Sequence, residues 1–265
     1  MATQLCWPAP LEYGVIWPGY SQLTATLMSD KQKHRVVRLP ATTCAKAMEK
    51  EQLLLEQVKQ GSFSQAILLW RCSSPAIVLP AGRKWQITEP LREWLTQRGW
   101  DILQRRSGGS PVPQSPAMLN IAHMYTLTAA QSYAVKTAYQ LLCDSLLDFF
   151  ASLNITAEIH STPHAYCDGD YNLNIHGQKI VGTAQRVLSA PGGRRIVLAH
   201  ACLLIDDVLE SIIPPVNACN AFNNIPDRVK LNAHTCLNRH LADTFTTDEL
   251  FTGLIRAFSR HTVFS

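Results

Sequence analysis

The sequence predicts a single α+β domain with a large mixed β-sheet flanked by helices. Short apolar runs of strand length alternate with amphipathic helical segments along the 265 residues, which is the pattern of a sheet covered by helices. Apolar residues make up 46% of the chain and charged residues 17%, as in a packed globular protein. No internal repeat or low-complexity linker divides the sequence, so we expect one folding unit.

Charge and hydropathy argue against several functional classes. The net charge of +4 is too small to predict nucleic-acid binding. No apolar run is long enough to span a membrane, and the N-terminus lacks the basic region of a signal peptide. The eight cysteines form no C-x-x-C pair, which favours reduced thiols over a disulfide framework. We therefore expect a cytoplasmic protein that binds neither nucleic acid nor a membrane.

The chain is predicted to begin with a lead-in, residues 1–40, that packs on one domain of residues 41–265. The first helix of this domain starts after Thr43 and ends at Gln60, because Gly61 suits a helix C-terminus. Its apolar residues fall on one face, as expected for a helix laid on a sheet. The other predicted elements are strands at 66–70, 75–79, 101–104, 118–127, 155–159, 172–175, 179–187 and 194–205, and helices at 89–99, 131–150 and 247–258.

Residues 172–187 are predicted to form a β-hairpin. Residues 172–175 alternate polar and apolar side chains, which indicates a half-buried strand. The next three residues, His176-Gly177-Gln178, are typical of a turn, since glycine takes a positive φ at little cost. Residues 179–187 then form the return strand.

A candidate nucleophile and a candidate cation flank this turn. Cys167 lies just before the first strand, and Lys179 begins the second. The start of one hairpin strand lies beside the end of the other, so Cys167 is expected to face Gly182, Thr183 and Ala184. Small residues there allow a substrate to approach the backbone closely. Taken alone, Cys167 would be interpreted as a buried inert thiol.

A second candidate binding segment is the loop Arg105-Arg106-Ser107-Gly108-Gly109, which follows a predicted strand. Two arginines beside two glycines offer planar cations together with unhindered backbone N–H groups. Such a loop can hold a phosphate, a carboxylate or a polarised thioester oxygen. It is neither a P-loop nor a dinucleotide-binding fingerprint, because the residues that define those motifs are absent. Taken alone, a loop of this kind is more often a solvated turn.

The order and spacing of four segments resemble the lipoate–protein ligase and octanoyltransferase superfamily, which also includes the biotin ligases. The segments are residues 105–109, Asn120, residues 177–186 and His200. The resemblance covers about residues 44–205. It implies the α+β fold of that superfamily, a biotin/lipoate ligase-like catalytic domain, for residues 41–265.

The resemblance also implies which residues bind the substrate. An acyl chain would lie in a tunnel under the 105–109 loop, and Lys179 would contact the acyl carbonyl or an acyl-adenylate. The implied substrate-binding residues are Arg105, Arg106, Ser107, Gly108, Gly109, Asn120, Gly182, Thr183, Ala184 and His200.

The residues around Cys167 select one branch of the superfamily. The run Cys167-Asp168-Gly169-Asp170-Tyr171-Asn172-Leu173 is similar to the Cys-x-Gly-x-Tyr-x-Leu segment of the cysteine-dependent octanoyl and lipoyl amidotransferases. In those enzymes the cysteine takes the acyl group as a thioester and passes it to a lysine. Ligases of the superfamily usually have an Asn-Asp pair where this chain has Tyr171-Asn172. The implied catalytic residues are Cys167 and Lys179.

The predicted activity is transfer of an octanoyl or lipoyl group between carrier proteins. The donor would be an acylated acyl carrier protein or glycine-cleavage H protein. The acceptor would be a lysine of a lipoyl domain, in a 2-oxoacid dehydrogenase or an H protein. Thioester exchange is nearly isoenergetic and amide formation is downhill, so this route requires neither ATP nor another cofactor. A free thiol titrates at about 8.5, so Cys167 needs nearby positive charge, which Lys179 can supply.

Two other interpretations remain open at this point. An ATP-dependent lipoate or biotin ligase would form an acyl-adenylate, with Lys179 and Arg105 on the phosphate. A non-catalytic protein of the same fold would bind a lipoyl domain or an acylated carrier. Departures from the superfamily pattern, such as Ser110-Pro111 after the loop and Ala201 after His200, leave room for a different acyl group.

Two groups of histidine and cysteine have part of the spacing of a zinc site. They are His160, His164 and Cys167, and His234, Cys236 and His240. Each group lacks a clear fourth ligand, so we expect no metal site. His123 and His200 are interpreted as satisfied strand histidines rather than general bases.

Overall fold

This computed structural model describes residues 34–106 and 108–261, which contain ten strands, five α-helices and three short 3-10 helices. The strands are β1 (His34–Thr42), β2 (Gln65–Cys72), β3 (Ala76–Pro80), β4 (Asp101–Arg105), β5 (Val112–Gln114), β6 (Met118–Leu127), β7 (Glu158–Ile159), β8 (Leu173–Ile175), β9 (Gln178–Ser189) and β10 (Arg195–Leu204). The helices are α1 (Cys44–Lys59), α2 (Glu89–Thr96), α3 (Val135–Ser152), α4 (Leu209–Phe222) and α5 (Thr247–Arg260). None of these described helices is long and apolar enough to cross a membrane. Most of the predicted lead-in, residues 1–33, and Ser107 lie outside the described residues.

The larger of two sheets has seven strands in the order β1-β2-β6-β10-β9-β8-β7. β1 and β2 are parallel, whereas all other neighbours in this sheet are antiparallel. The predicted α+β class with a large mixed sheet is therefore confirmed. A second sheet of three strands, β4-β3-β5, was not predicted. The buried runs of β2 and β3 look alike in sequence, and burial alone does not tell which sheet a strand joins.

Helices cover both faces of the larger sheet. α3 and α5 pack on one face, where Leu146 and Phe251 join a cluster with strand residues such as Ile121. α1 packs on the other face, in a cluster that contains Leu68 of β2. Val78 of β3 belongs to the same cluster as α1, so the second sheet lies over the same face of the larger sheet. α2 and α4 pack around the second sheet.

The first helix agrees with its predicted bounds. Thr43 caps the start of α1, where its side chain accepts a hydrogen bond from the Lys46 N–H at 3.3 Å. Threonine is well suited to this position, because its oxygen satisfies an N–H group that has no partner within the helix. The helix ends at Lys59, with Gln60 as the cap, and Gly61 follows with a φ of +84°.

The hairpin of β8 and β9 is confirmed, but its turn is shorter than predicted. Ile175 pairs with Gln178, so the turn contains two residues rather than three. His176 and Gly177 both have positive φ, +50° and +74°, as in a type I′ turn. This turn matches the twist of the flanking strands, which explains why Gln178 already belongs to β9.

Helix α4 was missed because Pro214-Pro215 lies inside it. Proline normally breaks a helix interior, since it has no N–H and clashes with the preceding turn. Here Ile212 is fully buried in the cluster around the second sheet, and such packing outweighs the local preference. Two other predicted elements are shorter than expected: α3 begins at Val135, and the strand predicted at 155–159 is only β7.

Candidate active site

A cavity of about 330 Å³ lies between the two sheets, beside α1. Its floor is a row of residues paired in register across β2, β6, β10 and β9. The row consists of Trp70, Asn120, Cys202 and Gly182. The facing walls come from the second sheet and α1, and include Val78, Val112, Gln114, Cys44 and Met48. A cavity of this size is in the range of sites that bind small molecules or cofactors.

The cavity collects most of the site residues that the sequence predicts. Those that line it are Arg105, Arg106, Asn120, Cys167, Lys179, Gly182, Thr183, Ala184 and His200. Gly108 is exposed and does not line the cavity, whereas Gly109 contacts Cys167. Ser107 lies outside the described residues. Segments that are far apart in the sequence therefore meet at one place.

The side chain of Cys167 lies against Gly109 in the 105–109 loop, called the glycine loop below. A Cβ atom added at Gly109 would lie 2.8 Å from Cys167 Sγ and 3.1 Å from Arg105 Nη2, so only glycine leaves enough room. Gly109 also has a φ of +101°, which favours glycine. Cys167 itself has a φ of +47°. A positive φ is uncommon for a residue with a side chain, and strained backbone of this kind clusters at functional sites.

Arg105 holds the glycine loop in shape. Its guanidinium donates hydrogen bonds to the carbonyl oxygens of Val78, Gly108 and Ser110, at 2.7, 2.9 and 2.7 Å. Burial lowers the pKa of Arg105, an effect that nearby Cys167 opposes. The sequence suggested a cationic group that faces a ligand, but these donors are directed to the backbone of the loop and of β3. The exposed Arg106 also lines the cavity.

Lys179 is buried beside the segment that contains Tyr166 and Cys167, with only 2% of its surface exposed. Its Nζ donates to the carbonyl oxygen of Tyr166 at 2.6 Å and to that of Cys167 at 3.0 Å. A Cβ at Gly182 would lie 3.1 Å from this Nζ, so the glycine leaves room for the side chain of Lys179, which belongs to the same strand. Burial lowers the pKa of Lys179, while Cys167 and Cys202 oppose the shift. The cation therefore lies where it can act on a group bound at Cys167.

Cys202 is a second thiol in the cavity, in the row that forms the floor. Burial raises its pKa to about 12, so this thiol stays protonated at neutral pH and is a poor nucleophile. Its sulfur lies 3.7 Å from Gln114 Nε2. All the cysteines in the described residues are free.

Two polar pairs inside the cavity were not predicted. Gln114 and Asn120 exchange amide hydrogen bonds of 2.7 and 3.0 Å, which join the second sheet to the floor. His200 Nε2 donates a hydrogen bond of 2.8 Å to Glu51 on α1. Burial raises the pKa of Glu51, but His200 and Arg186 outweigh it and leave that pKa below its ordinary value. His200 is therefore satisfied by a partner, as interpreted from the sequence.

Helical spacing offered one signal that sequence reasoning did not use. Cys44, Met48 and Glu51 recur at i, i+4 and i+7 and therefore share one face of α1. All three line the cavity. No local pattern links Gln114 with Asn120, because that pair forms only when the two sheets pack together.

The two groups of histidine and cysteine make other contacts. Within the described residues, no group of three or more His, Cys, Asp or Glu side chains is placed to hold a metal ion. His234 Nε2 accepts a hydrogen bond from the backbone N–H of Tyr166 at 3.2 Å. His240 Nε2 lies 2.8 Å from the hydroxyl oxygen of Thr235.

Comparison with known proteins gives a family for most of the chain. Residues 43–259 match a family described as the lipoyl protein ligase A/B catalytic domain. The match runs from the cap of α1 almost to the end of α5. It contains every cavity residue described above.

Several curated proteins are similar to parts of the chain. An uncharacterized protein of Cupriavidus necator is 32% identical over 169 residues, which cover 60% of this chain and 66% of that protein. A lipoyl-[GcvH]:protein N-lipoyltransferase of Listeria monocytogenes is 29% identical over 106 residues, 40% of this chain and 38% of that enzyme. An octanoyl-[GcvH]:protein N-octanoyltransferase of Geobacillus kaustophilus is 26% identical over 133 residues, 50% of this chain and 47% of that enzyme. The chain spans less than two thirds of the length of each of these relatives.

Solved structures share the fold. A crystal structure of lipoate-protein ligase A bound with ATP matches with a TM-score of 0.63 at 16% identity, covering 86% of this chain and 85% of that one. The bipartite lipoate protein ligase of Thermoplasma acidophilum matches with a TM-score of 0.60 at 17% identity, covering 87% of this chain and 84% of that one. At such low identities the likeness establishes the fold alone. With the family match over residues 43–259, it follows that this chain belongs to the lipoyl protein ligase A/B catalytic domain family.

Proposed function

We propose that the protein transfers an octanoyl or lipoyl group from a carrier-protein thioester, through Cys167, to a lysine of a lipoyl domain. The observation that carries this proposal is the contact of Cys167 Sγ with Gly109, at a cavity that also contains Lys179. Relatives named as lipoyl and octanoyl transferases of GcvH support the same class of reaction. The proposed donor is an acylated acyl carrier protein or H protein. The proposed acceptor is a lipoyl domain of a 2-oxoacid dehydrogenase, or an H protein.

The reaction would proceed in two steps at one sulfur. In the first step Cys167 Sγ attacks the carbonyl carbon of the donor thioester, the bond from that carbon to the donor sulfur breaks, and the donor leaves as a thiol with the proton from Cys167. In the second step the amine of the acceptor lysine attacks the acyl-enzyme. The bond to Cys167 Sγ breaks, an amide forms, and a proton from the amine returns to the sulfur. Nucleophilic catalysis of this kind divides one difficult step into two easier ones.

Lys179 and the glycine loop would stabilise the charge that develops on the acyl oxygen. The Lys179 cation is already held at the backbone of Cys167, so it needs no reorganisation during the reaction. Backbone N–H groups of the Gly108-Gly109 segment are the second set of proposed donors. Preorganised donors in a buried site stabilise a developing charge far more strongly than the same groups do in water.

The floor of the cavity is the proposed path of the acyl chain. Neighbouring strands lie about 4.8 Å apart, so the row from Gly182 to Trp70 spans about 14 Å. The row starts beside the proposed reacting groups, since Lys179 Nζ would lie 3.1 Å from a Cβ at Gly182. An extended chain of eight carbons fits within that length.

Intact mass after mixing with an octanoyl-loaded donor, without ATP, tests this proposal. We expect the mass to increase by one octanoyl group, and hydroxylamine to remove it, since thioesters are sensitive to that reagent. Cys167→Ser should abolish the increase. Cys219→Ala is the matched control, because Cys219 is buried in α4 and does not line the cavity.

A second arm of the experiment distinguishes the proposed transferase from an ATP-dependent ligase that forms an acyl-adenylate. The likeness to a ligase bound with ATP makes this arm necessary. Free lipoate or octanoate, ATP and a lipoyl domain replace the thioester donor. Modification of the lipoyl domain that requires ATP and persists in Cys167→Ser would refute the transferase proposal. No modification in either arm would leave binding without catalysis as the function.

A further inference from the structure

His234 is a buried residue that the proposed mechanism does not use. It lies between α4 and α5, and only 1% of its surface is exposed. Its Nε2 accepts the backbone N–H of Tyr166 at 3.2 Å, and its Nδ1 lies 2.9 Å from the carbonyl oxygen of Lys230. Its ring stacks on the ring of Tyr166, with centroids 4.8 Å apart and an interplanar angle of 13°.

These contacts hold the ring of His234 in one neutral tautomer. A backbone N–H only donates, so Nε2 must present a lone pair to Tyr166. The proton is therefore on Nδ1, which donates it to the carbonyl oxygen of Lys230. Burial, with the help of Lys179, lowers the pKa of His234 to about 4. The ring is neutral at physiological pH, and both of its nitrogens are used.

The backbone around His234 also holds Lys179. The carbonyl oxygen of Lys179 accepts a hydrogen bond from the Thr235 N–H at 2.9 Å, and the backbone of Lys179 pairs with His234 in a short parallel bridge. The ammonium of Lys179 then returns to Tyr166, with a hydrogen bond of 2.6 Å to its carbonyl oxygen and a distance of 4.6 Å to its ring centroid. Tyr166 is thus held by its N–H, its ring and its carbonyl oxygen, and it directly precedes Cys167.

We propose that His234 is a positioning residue that holds Tyr166 and thereby sets where Cys167 Sγ and Lys179 Nζ meet the acyl carbonyl. This inference rests on the proposed function. A shift of Tyr166 would move both reacting groups, since Cys167 follows it in the chain and Lys179 donates to its carbonyl oxygen. The positive φ of Cys167 makes such support necessary, because strained backbone persists only where its surroundings hold it.

Two substitutions separate the hydrogen bonds of the ring. In His234→Gln the amide reaches the position of Nε2, so its oxygen can accept the Tyr166 N–H. In His234→Asn the amide reaches only the position of Nδ1, so the bond to Lys230 is kept and the bond to Tyr166 is lost. His240→Asn is the matched control, because His240 lies in the same segment and contacts Thr235.

The readouts are the kinetics of Cys167 acylation and the reactivity of its thiol. We expect His234→Asn to lower kcat for acylation by octanoyl-loaded GcvH at least about tenfold, because small misplacements of a reacting group cost up to about a hundredfold. KM for the donor should not change. His234→Gln should keep most of the wild-type kcat, and His240→Asn all of it. The rate of Cys167 alkylation by iodoacetamide, without a donor, should likewise be lowest in His234→Asn, higher in His234→Gln and unchanged in His240→Asn.

The inference is overturned if His234→Gln and His234→Asn have equal kcat values, since only the glutamine retains the bond to Tyr166. If no thioester donor acylates the wild-type protein, the proposed function fails. The alkylation rates then still test the positioning of Cys167, with the same order expected. If both variants fail to fold, amide hydrogen exchange in the wild-type protein decides. A protected Tyr166 amide supports the inference, and exchange as fast as in an exposed loop refutes it.

Discussion

Replacing Gly109 by alanine should displace the sulfur of Cys167. The added methyl group would lie 2.8 Å from Sγ, whereas ordinary contact begins at 3.4 Å, so the sulfur must retreat by about 0.6 Å. The φ of +101° at Gly109 adds a backbone cost of about 1–2 kcal/mol for alanine. Because a shift of 1 Å can slow a reaction by about a hundredfold, we expect Cys167 acylation to be about 10 to 100 times slower.

Gly108→Ala is the matched control for this change, because alanine keeps the backbone N–H that is proposed as a donor. A Cβ at Gly108 meets nothing within 4 Å, and its φ is not positive. Both variants are compared by single-turnover acylation with an octanoyl donor, by alkylation of Cys167 with iodoacetamide, and by thermal unfolding. The melting temperature of Gly109→Ala should fall by about 2–8 °C, and that of Gly108→Ala by less. If the two variants acylate and alkylate at the same rate, the contact between the loop and Cys167 does not control the nucleophile, and the reasoning fails.

Three further predictions concern the buried polar groups. Lys179→Met removes the cation but keeps most of the side-chain length, so single-turnover acylation should slow by about 10² to 10³; an unchanged rate would exclude the role in charge stabilisation. Gln114→Leu leaves the buried amide of Asn120 without its hydrogen-bond partner, so the free energy of unfolding in urea should fall by about 1–3 kcal/mol. The double variant Gln114→Leu/Asn120→Leu should recover part of this loss. If the double variant is as unstable as the sum of both single variants, the pair does not interact. His234 has a folded pKa of about 4, below the ordinary 6.5, so the unfolded chain binds its proton first as the pH falls. Its contribution is complete above pH 6.5 and is lost towards pH 4, a loss of about 3 kcal/mol. Unfolding free energies between pH 7 and 4.5 should therefore fall less steeply for His234→Gln, and equal slopes would contradict this.

The hairpin that carries Lys179 could be predicted, together with the position of Cys167 just before its first strand. Alternation of polar and apolar residues defines its strands, and a turn sequence joins them. The partners from distant segments could not be predicted in this way. Glu51 and His200 are 149 residues apart, and Tyr166 and His234 are 68 apart. Such contacts depend on the order of strands in the sheets, which hydrophobic periodicity does not contain.

Arg105 shows why residue type alone did not define a role. An arginine beside two glycines suggests a cation that is free to bind an anion. In the structure its donors are directed to three backbone carbonyl oxygens, those of Val78, Gly108 and Ser110. A backbone that turns sharply has carbonyl groups without partners in a strand or helix, and a guanidinium can satisfy several of them together. The arginine therefore preorganises the loop.

The row of residues that forms the cavity floor limits how this protein can change during evolution. Asn120 and Cys202 face the cavity only because β6 and β10 keep a fixed register. A deletion or insertion of one residue in either strand would turn its side chains over, and would place these residues under α3 and α5. A substitution within the row changes one side chain that lines the cavity and keeps the register of the strands. Under the proposed function, adaptation to a new acyl group is therefore expected to proceed by substitutions in the row, while differences in chain length accumulate in the loops.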